Sequence, residues 1–193
     1  MKRTIVYSII LSQLAFFICL PLFRELFSYL HPVVIIVLWI CLTTFVFFVL
    51  LILRKQSVII PRFIMSLFLL VYSICLLILL FFRPSGQVYD NWNLMPFSTI
   101  GFYLSGNVSF LIAFYNLAAN IGLFIPFGFA FMLTLKSRIM LFVVPFISIG
   151  LIELLQFITQ RGSLDIDDLI LNLIGVFIGY VLTPVFLRVV TIK

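Results

Sequence analysis

The chain has 193 residues, of which 65% are hydrophobic and only 9% charged, and its net charge is +6. Soluble domains carry about 25% charged residues, so this composition excludes a water-soluble globular domain and makes lipid the main solvent. The apolar runs are continuous and about 20 residues long, which suits membrane-crossing helices and excludes the alternating pattern of a β-barrel.

The expected fold is all-α, a polytopic integral membrane protein with the bilayer as its first partner. Six spans are predicted in chain order: 5–23, 33–53, 62–82, 114–135, 139–158 and 166–187. Met1-Lys2-Arg3 before the first run resembles the opening of a signal peptide. The run reaches Phe23, however, and bulky residues stand where a small-residue cleavage site would lie, so a retained helix is expected. Pro32, Pro61 and Pro84 mark the joints. Pro126, Pro145 and Pro184 fall inside spans and predict local kinks, tolerated where neighbours satisfy the freed carbonyls. Cys19, Cys41 and Cys75 sit inside apolar runs with no metal-ligand spacing and read as buried small hydrophobes. His31, before Pro32, reads as a loop residue.

A cytoplasmic N-terminus places Lys2, Arg3, Arg54, Lys55, Arg62, Lys136, Arg138, Arg188 and Lys193 inside, and only Arg24, Arg83 and Arg161 outside. That asymmetry is the positive-inside pattern. An even number of spans puts the C-terminus inside too. All the acids (Glu25, Asp90, Glu153, Asp165, Asp167 and Asp168) then fall at or near the outer face. The basic balance reports topology and calls for no nucleic-acid partner. The chain divides at the third joint into a three-helix segment, 1–83, and a second part, 84–193, within one membrane domain. The joint from Arg83 to about Ala113 carries Tyr89, Trp92, Phe97, Phe102, Tyr103 and Phe110. Such rings favour the headgroup layer, so this joint is expected to lie on or dip into the outer leaflet.

Polar residues inside the last three spans follow helical spacing. Asn116 and Asn120 share a face of the fourth span, continued by Phe124 and Gly128. Glu153 and Gln156 share a face of the fifth. Asp165, Asp168, Asn172, Gly175 and Gly179 form one stripe on the sixth. At about 1.5 Å of rise per residue, Asn120, Glu153 and Asn172 reach one level, roughly 8–10 Å below the outer surface. A carboxylate at that depth needs a partner, water or a proton, and marks a functional site by default. The amides of Gln156, Asn120 and Asn172 are donors within reach of Glu153, and Arg161 is the cation nearest the cluster. Asn and Gln also bind helices together in lipid, and Gly175-x-x-x-Gly179 is a close-packing pattern in its own right.

Four stretches resemble the VanZ-like family of bacterial membrane proteins, in order along the chain. They are "NLMPF" (Asn93 to Phe97); "NLAANIGLFIPFG" with Asn116, Asn120, Phe124, Pro126 and Gly128; "ELLQ" with Glu153 and Gln156; and "RGSLDIDDLILNLIG" with Arg161, Asp165, Asp167, Asp168, Asn172 and Gly175. The resemblance covers about residues 90–185. It implies a helical membrane fold in the bacterial cytoplasmic membrane and an envelope role. The family is named for a protein associated with resistance to the glycopeptide teicoplanin, and no reaction is established for it.

Three functions follow as expectations. The first is an envelope protein whose outward-facing polar cleft binds a lipid-linked or lipidated amphiphile through Asn93, Asn116, Asn120, Glu153, Gln156, Arg161, Asp165, Asp168 and Asn172. The second is an intramembrane enzyme on a lipid-linked substrate, with Glu153 as general acid or base and Asp165, Asp167 and Asp168 holding a divalent cation through oxygens. No His or Cys lies near the cluster, and Ser163 has no visible activating base. The third is a carrier or scaffold using Glu153, although no inverted repeat is visible. No cofactor is specified by the sequence.

Overall fold

The structure, a computed structural model, describes residues 1–26, 33–81 and 92–193. His31, Pro32, Arg83, Pro84, Tyr89 and Asp90 lie outside the described residues. Seven helices run in order: α1 (Lys2–Leu26), α2 (Val33–Leu53), α3 (Arg62–Phe81), α4 (Ser98–Leu104), α5 (Phe110–Thr134), α6 (Arg138–Ile158) and α7 (Ile166–Val189). Four short strands join them: β1 (Val58–Ile60), β2 (Trp92–Asn93), β3 (Leu164–Asp165) and β4 (Val190–Ile192).

The all-α membrane architecture is as the composition requires. Among the described residues five helices are long and apolar enough to cross a membrane: Lys2–Pro21 of α1, then α3, α5, α6 and α7. The apolar stretch Trp39–Leu53 belongs to α2, whose bounds coincide with the expected second span. The short helix α4 and the strands are additions that the hydropathy pattern did not announce. Large apolar side chains cover the outer surfaces of the long helices, among them Phe17, Ile18, Phe63, Phe68, Phe110 and Val181. Facing lipid, such side chains have no reason to be buried. The same logic corrects the reading of the cysteines: Cys41 and Cys75 are exposed on their helices and Cys19 is half-buried.

Two compact units are present, one made of Met1–Ile60 with Val185–Lys193, the other of Pro61–Pro184. In the first, α1 packs on α2, and α1 buries Thr4, Ser8 and Ser12, a stripe of small residues four apart. The Ser8 and Ser12 hydroxyls donate to the Ile5 and Ile9 carbonyls of their own helix, so the buried stripe leaves no hydroxyl donor open. At its start Thr4 donates to Gln56 Oε1 at 2.6 Å and accepts from Arg54 Nη1 at 3.2 Å, and the Arg54 guanidinium lies 4.7 Å from the Tyr7 ring centre. Strands β1 and β4 pair in parallel, Val58 opposite Val190.

The second unit holds the site. Its core joins Leu76 and Leu80 of α3, Phe124 of α5, Ile149 of α6 and Val176 of α7. Helices α5 and α7 meet with almost no side chain between them. A Cβ placed on Gly128 would fall 2.7 Å from the Gly179 Cα and would strike the Val176 carbonyl; one on Gly175 would strike the Ile121 carbonyl; one on Gly179 would strike the Ile125 carbonyl. The small-residue spacing in the sequence therefore does what such spacing does in lipid, where close backbone packing drives helix association.

Prolines 126, 145 and 184 all lie inside helices, which continue through them. Pro145 has no N–H, so the carbonyl of Leu141, four residues earlier, loses its helical donor. The Tyr180 hydroxyl of α7 donates to that carbonyl at 2.6 Å. The Tyr72 hydroxyl of α3 likewise donates to the Leu123 carbonyl at 2.9 Å, in the turn preceding Pro126. At Pro145 a cross-helix hydroxyl thus serves the freed carbonyl, as membrane helices require, whereas the carbonyl that Pro126 frees is that of Gly122, the neighbour of the one Tyr72 serves.

Tyr180→Phe is expected to lower stability by about 1 kcal/mol. The loss should shrink in a Pro145→Ala background, where the helix regains its own donor, and a double-mutant cycle on denaturant unfolding in micelles reads the coupling. Gly175→Leu is expected to cost more, about 1–3 kcal/mol from overpacking, because its side chain meets backbone that cannot rotate away; the same unfolding assay compares it with Gly101→Leu, where a Cβ meets nothing within 4 Å.

Candidate functional site

The site is built around the first turn of α7. Strand β3 pairs in parallel with β2, Trp92 opposite Leu164 and Asn93 opposite Asp165. Asp165 stands just before α7, and its Oδ1 accepts the Asp167 N–H at 2.9 Å, which is how an N-terminal cap satisfies an early helical amide. Its Oδ2 accepts the Thr99 hydroxyl at 2.5 Å. Asn93 Nδ2 donates to Ser98 Oγ at 2.5 Å and Thr99 Oγ1 at 3.0 Å, and Asn93 Oδ1 accepts the Met95 N–H at 3.2 Å.

Asp167 is fully buried. Its carboxylate accepts three backbone N–H groups, from Phe97 at 2.6 Å, Thr99 at 2.8 Å and Ile100 at 3.0 Å. The first amides of a helix have no partner within it, and α4 begins at Ser98. The residue in the cap position is Phe97, whose side chain offers no acceptor. A carboxylate from seventy residues further along the chain therefore caps this helix. Phe97 itself has φ 65°, a left-handed conformation that is costly for a bulky side chain and persists only where the surroundings hold it. The 2.6 Å bond from its N–H to Asp167 is such a hold.

One residue on, Asp168 turns to α5. Asn120 Nδ2 donates to Asp168 Oδ1 at 2.7 Å. One turn further along α7, Asn172 Nδ2 donates to Glu153 Oε1 at 3.1 Å. Both members of that pair are buried. Gln156 takes a different part: its Nε2 donates to the Leu80 carbonyl at 3.2 Å, an acceptor in the last turn of α3 that has no helical donor. These groups line a pocket of about 280 Å³, its open mouth included, with Asn120, Glu153, Gln156, Asp168 and Asn172 as the polar wall and Leu80, Gly162 and Ser163 completing it. Its enclosed space is only about 10 Å³, about what one water molecule needs, so it accepts a single small polar group, not a whole molecule. Among the described residues, Asn172 Oδ1 is the buried side-chain polar atom left without a hydrogen-bond partner.

Asn120, Glu153, Gln156, Asp168 and Asn172 therefore meet, as their helical spacing anticipates. Asn116, Asn93 and Asp165 take other partners. Asn116 Nδ2 donates to the Ile112 carbonyl of its own helix at 2.8 Å. Asn93 and Asp165 belong to the clasp on α4. Arg161 stands exposed in the joint after α6. The three carboxylates expected to share a cation have separate hydrogen-bond partners: Asp165 at the α7 cap and Thr99, Asp167 the α4 amides, and Asp168 the Asn120 amide. Among the described residues no three His, Cys, Asp or Glu side chains group as a metal site. The clasp was not foreseen because its halves are far apart in sequence. The signals present were "NLMPF" and "DIDD" themselves, two polar motifs that spacing alone cannot bring together.

A helical membrane protein with a polar pocket enclosed by its C-terminal helices is the class that fold and site define. Compared with known protein families, residues 68–187 match VanZ/LLP1. The chain belongs to that family. No curated protein and no solved structure matches it. The match begins inside α3 and ends in α7, so it takes in the core, the clasp and the pocket together.

Asp167→Ala strips the acceptor from three amides at once and is expected to destabilise the protein by about 2–3 kcal/mol. Amide hydrogen exchange should accelerate at Phe97, Thr99 and Ile100, while the amides of α6 around Glu153 keep their protection.

Proposed function

We propose that this VanZ-like membrane protein acts in the bacterial envelope. Its pocket faces outward and takes the polar head of a lipid-linked or lipidated amphiphile, altering how teicoplanin-type glycopeptides engage the cell surface. The observation that carries this reading is the buried Asn172 Oδ1 without a partner. An unmatched buried acceptor costs about 1–3 kcal/mol, and a ligand that brings a donor recovers it. Each amide around it has one N–H engaged: that of Asn172 on Glu153, that of Asn120 on Asp168 and that of Gln156 on the Leu80 carbonyl. The carboxylates of Glu153 and Asp168 with the Asn172 Oδ1 make the wall rich in acceptors, and the group that suits it is a hydroxyl, amide or ammonium donor. The pocket's size fits one such group, with the rest of an amphiphile left in the bilayer.

The test is teicoplanin susceptibility of a sensitive Gram-positive host expressing the chain, beside vancomycin and beside a Glu153→Gln variant at equal membrane level. The expected outcome is a several-fold rise in teicoplanin tolerance, a smaller change for vancomycin, and loss of the rise in the variant. No rise with the protein confirmed in the membrane refutes the glycopeptide role, and a rise that survives in the variant refutes the pocket's part in it.

A further inference from the structure

The segment between Trp92 and Leu104 is tightly held from beneath yet apolar on top. Trp92, Leu94, Met95, Phe97, Phe102 and Leu104 are all exposed, several of them by more than 60%. No charged residue occurs from Trp92 to Leu135. A loop that met water would carry charges, and a contiguous exposed apolar patch marks an interaction surface. The polar side chains at 93, 98 and 99 and the amides at the start of α4 are taken up by the protein. Asn93, Ser98, Thr99 and the α4 amides bond to one another and to Asp165 and Asp167. Phe97 adds a separate argument: it adopts a costly left-handed φ of 65° while its ring remains 65% exposed. Core packing of the ring does not explain that strain, whereas outward presentation of the ring does. The patch is also continuous with a surface already assigned to lipid. Helix α4 packs on α5, and α5 opens with Phe110 and Phe114, both exposed and stacked on each other.

We propose that residues 92–104 form a rigid interfacial anchor. It inserts Trp92, Met95, Phe97 and Phe102 among lipid headgroups and upper acyl chains, and Asp165 and Asp167 hold it from the protein side. The occupant of the patch is the bilayer. Apolar side chains bring the burial energy, and aromatic rings suit the headgroup layer. The carboxylates supply what lipid cannot, acceptors for the α4 amides, which would otherwise be desolvated without partners. The anchor sets the depth at which the start of α7 rests in the membrane. It is independent of what enters the pocket.

The chain has two tryptophans, so Trp39→Phe leaves Trp92 as the sole emitter. That variant is placed in phosphatidylcholine vesicles carrying bromines at the upper or the terminal acyl positions, and aqueous iodide is added in a separate titration. The expected result is strong quenching by upper-chain bromines, weaker quenching by terminal ones, and iodide quenching several-fold lower than for the same variant unfolded in denaturant. Adding Asp167→Asn or the milder Thr99→Val, with helicity checked by circular dichroism, should lower bromine quenching and raise iodide quenching. Efficient iodide quenching in the clasped protein overturns the anchor, because the loop then faces water. Protection from both quenchers also overturns it, because a protein surface then covers the patch. Unchanged profiles in both folded clasp variants overturn the role of the aspartates.

Discussion

The contact between α5 and α7 is the constraint on which the rest of the second unit depends. Glycines at 128, 175 and 179 let the two backbones touch. Parallel helices in such contact have few relative positions open to them, because any slide brings a carbonyl onto a side chain. The stripe that carries the glycines also carries Asp168 and Asn172. Fixing the glycine contact therefore fixes Asp168 opposite Asn120, and it brings Asn172 to the level of Glu153 on α6. The polar pocket is the continuation of a packing seam toward the end where the residues stop being small.

In lipid every polar group must find its partner within the protein, and the described residues show how thoroughly that rule shapes the design. Tyr180 and Tyr72 serve carbonyls in the turns of two helix prolines. Gln156 serves a carbonyl at the end of α3, and Asp167 serves the opening amides of α4. None of these bonds is close in sequence, so each ties two elements together while it removes a desolvation cost. Against this background the unmatched Asn172 Oδ1 is an exception, and exceptions of this kind concentrate where a structure does something besides hold itself together.

Much of this was legible in the sequence. Continuous apolar runs announced the long helices because lipid contact needs no periodicity. Spacing of three and four announced the shared face of Asp168, Asn172, Gly175 and Gly179, because α7 is regular through that stretch. What periodicity could not reveal was partnership across long separations. Asp165, Asp167 and Asp168 read as an acidic group because they are close in the chain. In the fold, neighbouring residues on a helix point about 100° apart, and the carboxylates are drawn to different neighbours. Helix α4 stayed hidden for the same reason: its cap is not in its own sequence but on α7. Gln156 was expected beside Glu153, and spacing put it on the right face, yet the orphan carbonyl that claims its amide belongs to another helix.

The parallel pairing of β2 with β3 has a consequence for how the chain is built into the membrane. Asn93 and Asp165 lie 72 residues apart, and between them run α5 and α6, one hairpin of two crossings. The pair can form only when both ends of that hairpin emerge on the same face of the bilayer. If either helix failed to cross, Asn93 and Asp165 would sit on opposite faces, with a hydrocarbon layer of about 30 Å between them. Phe97 would then have no carboxylate to hold its backbone, and α4 no cap. A handful of hydrogen bonds at one membrane surface thereby reports on the insertion of a segment that spans the whole bilayer twice, and closes only around a correctly threaded chain.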